Sequence, residues 1–187
     1  GETTTGEAPA QSTPIVVSPT TPINSNITID LISSIIQEAK NIITDKINSL
    51  SNFISKGTVS TLVLGEGERK GVIESFKSAF GRTPETEKDW EDVIKIANGR
   101  WPGQRNESTE KNAEAAFQKI YRRDPEKNNI YDNAAVTIIS YGLRAAQRNL
   151  ESEKKALGYF TSIYGYAPKS ASAWDIVRAI AYSGAKR

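Results

Sequence analysis

Closely spaced carboxylates are the residues in this sequence best placed by type to do chemistry. Glu85 with Glu87, and Glu91 with Asp92, could divide acid and base roles, but that task needs one carboxyl whose pKa an apolar pocket raises. Both pairs fall where a helix should begin, among polar neighbours, which predicts solvated carboxylates and argues against catalysis. Histidine, cysteine and methionine are all missing. Their absence removes Ser-His-Asp triads, cysteine nucleophiles, disulfides and zinc sites of the usual kind, and any metal would have to be hard and oxygen-bound. The sequence is therefore expected to be non-enzymatic and to need no cofactor.

The remaining candidate groups are basic or aromatic. Lys and Arg number 24 against 22 Asp and Glu, without the excess that drives nucleic-acid binding, so no nucleic-acid partner is expected. Arg100, Arg105, Arg122, Arg123, Arg144 and Arg148 should meet neighbouring acids or the carbonyls that end helices. Trp101 could be a surface stacking platform for a sugar or a partner, although packing beneath a link is the plainer reading. Tyr166 and Tyr182 are open to the same two readings. Two Asn-x-Ser/Thr sequons, at Asn26 and Asn106, coincide with places where a helix needs a cap.

The elements that carry these residues repeat. Phe76, Phe117 and Phe160 are spaced by 41 and 43 residues, as are Pro84, Pro125 and Pro168, and Trp90, Tyr131 and Trp174. Gly99, Gly142 and Gly184 follow at 43 and 42. Around each Phe, apolar residues at −4, +3 and +4 mark one helical face. The proline ends that helix, and a second one starts at Thr86, Asn128 or Ser170. Asn106 and Asn149 are expected N-caps, and Thr86 with Asp89 resembles a capping box. Residues 65–187 thus read as three helix–turn–helix units, 65–105, 106–148 and 149–187, in a helical array or compact bundle. The expected core is Phe76, Phe80, Trp90, Phe117, Tyr131, Phe160 and Trp174.

Three strings carry a resemblance: Phe76-Lys-Ser-Ala-Phe80-Gly-Arg-Thr-Pro84 with Trp90 to Pro102, Asp132 to Arg144, and Trp174 to Gly184. Over residues 65–187 the chain resembles a helical repeat module of predicted secreted cell-surface and S-layer-like proteins of small-genome candidate-phylum bacteria. The resemblance implies a surface location and a structural role, and brings no catalytic residues with it.

Ahead of the repeats the composition changes twice. Residues 1–26 are rich in Thr, Ser and Pro and read as an extended arm, in which Ile15, Val16 and Val17 are β-prone enough to pair with a strand edge. Residues 27–57 place apolar side chains at helical spacing, including Ile32, Ile36, Ile43, Ile47, Leu50 and Ile54, with Gly57 as the stop. Residues 58–64 read as a β-prone connector. The fold class expected is all-α, with the long amphipathic helix and the arm preceding the repeats. No apolar run is long enough to span a bilayer, and a chain opening on Gly1 without Met fits removal of a secretory signal. The leading functional expectation is a secreted structural subunit of a surface layer or filament, self-associating through the arm (Ile15, Val16, Val17) and the isoleucine face. The alternative is a non-catalytic module binding cell-wall glycan or a partner protein through exposed aromatics such as Trp101.

Overall fold

A single proline-free stretch with apolar residues every three or four positions gives the longest element, α1 (Ser25–Lys56). Six shorter helices follow: α2 (Glu66–Phe80), α3 (Glu87–Ala97), α4 (Glu107–Tyr121), α5 (Ile130–Tyr141), α6 (Leu150–Tyr164) and α7 (Ala171–Tyr182). The computed structural model describes the backbone of residues 25–187 and the side chains from Ile32 onward. Among these residues there is no strand, and the protein is all-α. Ile15, Val16 and Val17 lie outside the described residues, so the expected β pairing of the arm does too. No described helix is long and apolar enough to cross a membrane.

The chain divides within α1. The described part of the first unit is residues 25–43, whose Ile32, Ile35, Ile36, Ile42 and Ile43 are each 50–57% exposed. Residues 44–187 form the other. There Phe53 is buried, and Leu50 and Ile54 pack on the same core. These last two were expected on the assembly face; the structure instead leaves them partly buried against the domain's own core. The reason is local: Gly57 stops α1 with φ at 65°, and Phe53, one turn earlier, lies 5.6 Å from the Trp90 ring.

The connector is a correction to the sequence reading. Residues 58–64 form a 3-10 turn at Val59–Thr61 rather than a β-prone segment. Thr58 and Thr61 cap one another, with the Thr58 amide donating to Thr61 Oγ1 at 2.7 Å. Arg69, 5% exposed, gathers the nearby carbonyls: its guanidinium donates to Ile54 O at 2.8 Å, Ser55 O at 3.1 Å and Leu64 O. A β-branched run has no ladder to join here, so side-chain bonds to the backbone decide its shape.

The three hairpins are α2–α3, α4–α5 and α6–α7. Each first helix ends on a residue in the left-handed region, Gly81 (73°), Arg122 (61°) and Gly165 (78°). The backbone position is therefore fixed even where glycine is not available to occupy it. Thr86, Asn129 and Ser170 cap the second helices, and Asn106 and Asn149 cap α4 and α6. Thr86 and Asp89 form the expected capping box. The core Phe pairs with the aromatic four residues on in every unit: Phe76 with Phe80 at 4.6 Å, Phe117 with Tyr121 and Phe160 with Tyr164 at 4.4 Å. α7 packs on α5, α6 and α2, so the third hairpin closes back onto the first.

Phe76, Phe117 and Phe160 are completely buried, and Phe80 and Trp90 pack on the core. Tyr131 and Trp174 depart from the expected core, at 53% and 42% exposed. For Tyr131 the reason is register: it is the second residue of α5, whereas Trp90 and Trp174 are each the fourth residue of their helix.

Candidate functional site

The link after α5 places a charged cluster inside the protein. Gly142 sits where a Cβ would come within 2.5 Å of Asp175 Oδ1, and this close approach turns the chain so that Arg144 enters between α2 and α7. Arg144 is 4% exposed and Asp175 1%. Around them, Ser75 Oγ donates to Asp175 Oδ1 at 2.9 Å, Arg178 Nη1 donates to the same oxygen at 2.9 Å, and Arg144 Nε reaches Glu68 Oε2 at 3.2 Å. Arg144 Nη1 lies 3.7 Å from Asp175 Oδ1 and donates to Ser75 Oγ and to Gly142 O. Its Nη2 is buried without a hydrogen-bond partner. Burial pushes the Asp175 carboxyl up to about 6 despite both arginines, and burial together with Arg178 lowers the Arg144 guanidinium to about 10.

Beside this cluster α2, α6 and α7 enclose a cavity of about 310 Å³. Trp174 and Arg178 from α7, Glu68 and Glu74 from α2, Arg148 from the link before α6 and Glu153 from the first turn of α6 contribute to its walls. Most of these groups are braced by one another or from outside. Arg148 Nη2 donates to Glu153 Oε2 at 2.6 Å, and the Tyr182 hydroxyl donates to Glu153 Oε1 at 2.5 Å. The Arg148 bond, with help from Tyr182 and against burial, lowers the Glu153 pKa. Gly71 lies between the cavity and the cluster, since a Cβ there would stand 2.8 Å from Arg144 Nη2.

The residues singled out in the sequence fall elsewhere or do other work. Glu85 pairs with Lys46 at 2.7 Å. Asp92 is 2% exposed, not solvated, and accepts from the amides of Gly103 and Gln104, which holds the α3–α4 link. Glu91 is exposed beside it. Trp101 is 43% exposed and carries the Arg105 guanidinium 4.2 Å from its ring centroid, so one face is already stacked. Arg105, Arg123, Arg144 and Arg148 all pair with acids. Among the described residues no group of three or more Asp or Glu could hold a metal ion.

Sequence reasoning did not identify the buried carboxylates that two turn arginines hold. Arg82 binds Asp89 through both guanidinium nitrogens, one at 2.8 Å, and Arg123 binds Asp132 at 2.5 and 2.8 Å. Both carboxylates are fully buried, and the arginine bond holds each pKa below the usual carboxylate range against the opposing effect of burial. The available signal was an acid three residues after each cap, Thr86 and Asn129. The Arg144–Asp175 cluster and the cavity join residues about a hundred positions apart, and no local pattern marks them.

Comparison of the chain with protein-family models, with curated proteins and with solved structures found no match.

Proposed function

We propose that this protein is a non-catalytic structural subunit that associates with further copies of itself through the isoleucine face of α1. The observation that carries the reading is the exposure of six isoleucines on that helix, Ile32, Ile35, Ile36, Ile42, Ile43 and Ile47, at 50–57% each. Each has about half its surface left to lose, on the order of 1 kcal/mol apiece. The spacing favours an identical partner. Among the exposed positions Ile32 and Ile43 are 11 residues apart, as are Ile36 and Ile47. An 11-residue period keeps an apolar stripe in line with a second helix of the same period, with a slight right-handed supercoil. The resemblance of residues 65–187 to a secreted surface-protein module supports placing that assembly at a cell surface, as a layer or filament.

Sedimentation velocity over a concentration series tests this. The expected result is reversible association that Ile36→Glu with Ile43→Glu abolishes, because four charges would enter a two-chain interface. Both positions are exposed in the single chain, so its fold should survive. A strict monomer at high protein concentration would overturn the proposal.

A binding role for Trp101 is less well supported, because Arg105 covers one face of the ring. Glycan binding is better placed at another tryptophan.

A further inference from the structure

The two tryptophans at matching places in the hairpins differ in what covers them. Trp90 and Trp174 are each the fourth residue of a second helix. The Phe53 ring lies against Trp90 at 5.6 Å, whereas Trp174 is 42% exposed and lines the cavity between α2, α6 and α7. The cavity wall beside it carries charged groups. Apart from Val177 and two glycines it consists of Glu68, Glu74, Arg148, Glu153 and Arg178. An apolar helix laid on Trp174 would strip water from these charges and bury Glu74 with no partner, which is costly. Three carboxylates against two guanidiniums also leave no positive excess to select an anion.

We propose that this cavity is a binding subsite for a neutral pyranose, with Trp174 as the platform for the apolar face of the sugar ring. Sugar hydroxyls both donate and accept, and they match a wall that offers carboxylate acceptors and guanidinium donors together. The wall is preorganised, which reduces the ordering cost of binding. Glu153 is held by Arg148 and Tyr182, Arg178 by Asp175, and Glu68 by Arg144. Glu74 makes no hydrogen bond or ion pair among the described residues and keeps its acceptors for a ligand. Gly67 leaves one side open, because a Cβ there would meet nothing within 4 Å. The volume of about 310 Å³ lies at the low end of small-molecule sites, which suits one sugar residue.

The other cavities lack this combination. The one of about 650 Å³ lined by Val63, Leu64 and Ala145 to Arg148 has no aromatic. At the one beside Tyr131, Arg123 and Asp132 are already joined to each other, and the Tyr131 ring rests on Gly184. The subsite does not depend on self-association through α1.

Saturation-transfer difference NMR on the full chain tests it, because the method reads weak ligands even on a large assembly. The probes are glucose, galactose, mannose, N-acetylglucosamine and N-acetylgalactosamine, with a β-1,4-linked tetramer of N-acetylglucosamine as the polymeric arm. At least one should bind in the millimolar range, with the strongest transfer to ring C–H protons. Preference for the tetramer would identify a glycan chain as the source, and equal binding a free sugar. Trp174→Ala should weaken binding about tenfold or more, and Trp174→Tyr should restore part of it. Gly67→Leu, which adds bulk on the open side of α2 and removes no contact, should block binding while circular dichroism shows an intact fold. Trp101→Phe should bind as the parent does. Absence of transfer to every probe, or binding unchanged in both Trp174→Ala and Gly67→Leu, would overturn the proposal.

Discussion

The first two hairpin turns and the third share a backbone but solve the same packing problem with different chemistry. Two residues past Phe80 and Tyr121 come Arg82 and Arg123, and each guanidinium lies over the core Phe of its unit, 5.8 Å from Phe76 and 5.2 Å from Phe117. Each also holds the buried acid at the third position of the next helix, Asp89 or Asp132. In the third turn the same place is Tyr166, whose ring meets Phe160 edge-on at 5.9 Å. The third position of α7 is Ala173. The arginine and its acid are thus replaced together, and the third unit's buried acid, Asp175, serves a long-range cluster with α2 instead. Within a repeat, what is preserved is coverage of the Phe ring; the ion pair is one of two ways to provide it.

The largest expected effect tests the shared element. Phe76→Ala, Phe117→Ala and Phe160→Ala should each cost about 3–5 kcal/mol, read from denaturant midpoints, because all three rings are completely buried. A much smaller loss for Phe160→Ala would break the equivalence and mark the third unit as separately adaptable.

Next comes the acid that only the third unit sends across the fold. Burial raises the Asp175 pKa to about 6, above its ordinary 3.8. A group raised on folding contributes stability that is complete below its unfolded pKa and is lost as pH rises through the folded one. Asp175 should therefore make the protein less stable between about pH 4 and pH 6, by at most about 3 kcal/mol. Asp89 and Asp132 act in the opposite sense, since their pKa values are lowered; their contribution is complete above about pH 4 and lost on acidification. Thermal unfolding across pH 3–7 should show both limbs, and Asp175→Asn should flatten the upper one alone. An unchanged upper limb would show that Asp175 is not its source.

The turn itself can be exchanged. Asp89→Ala removes the acid partner of a capping box and a buried hydrogen-bonded carboxylate, about 2 kcal/mol in all; the ion-pair share is discounted because the Arg82 side chain is 42% exposed. Arg82→Tyr with Asp89→Ala imports the third turn's chemistry and should lose less than the sum of the single changes. Conversely, Ala173→Asp alone should destabilise, and Tyr166→Arg added to it should recover stability. Additive effects in both cycles would mean that the two turns differ by more than these side chains.

How far the sequence could be read follows from these same residues. The helices and the caps Thr86, Asn106, Asn149 and Ser170 were legible, because each depends on residues within one turn of the chain. Alignment on aromatic residues put Tyr131 in register with Trp90, and that misplaced an exposed ring in the core. Alignment on the capped acid, Asn129 with Asp132 and Thr86 with Asp89, gives the register seen in the structure. Trp174 looked like core because its counterpart is. What covers Trp90 is Phe53, a residue outside the repeat, and no repeat-level pattern reports a cover that only one copy has.

The smallest expected effect concerns the units' first caps. α4 and α6 begin on asparagines whose Oδ1 accepts from the third helical amide, at 3.0 Å in both. The backbone amides of these same asparagines donate to the hydroxyls of Tyr141 and Tyr182. α2 begins on Gly65, which has no side chain to cap with. Its backbone is nevertheless extended, at φ −70° and ψ 170°, and a Cβ there would meet nothing within 4 Å. Asparagine fits that conformation, so Gly65→Asn should stabilise by only a few tenths of a kcal/mol, whereas Asn106→Ala and Asn149→Ala should each cost about 1 kcal/mol. The asymmetry has a structural reason. The fourth residue of α4 and of α6 is an acid that accepts from the tyrosine hydroxyl, Glu110 or Glu153. The fourth residue of α2 is Arg69, which grips the last carbonyls of α1. The first unit is therefore fastened by the helix before it, and a gain near 1 kcal/mol from Gly65→Asn would show that this fastening is weaker than its hydrogen bonds imply.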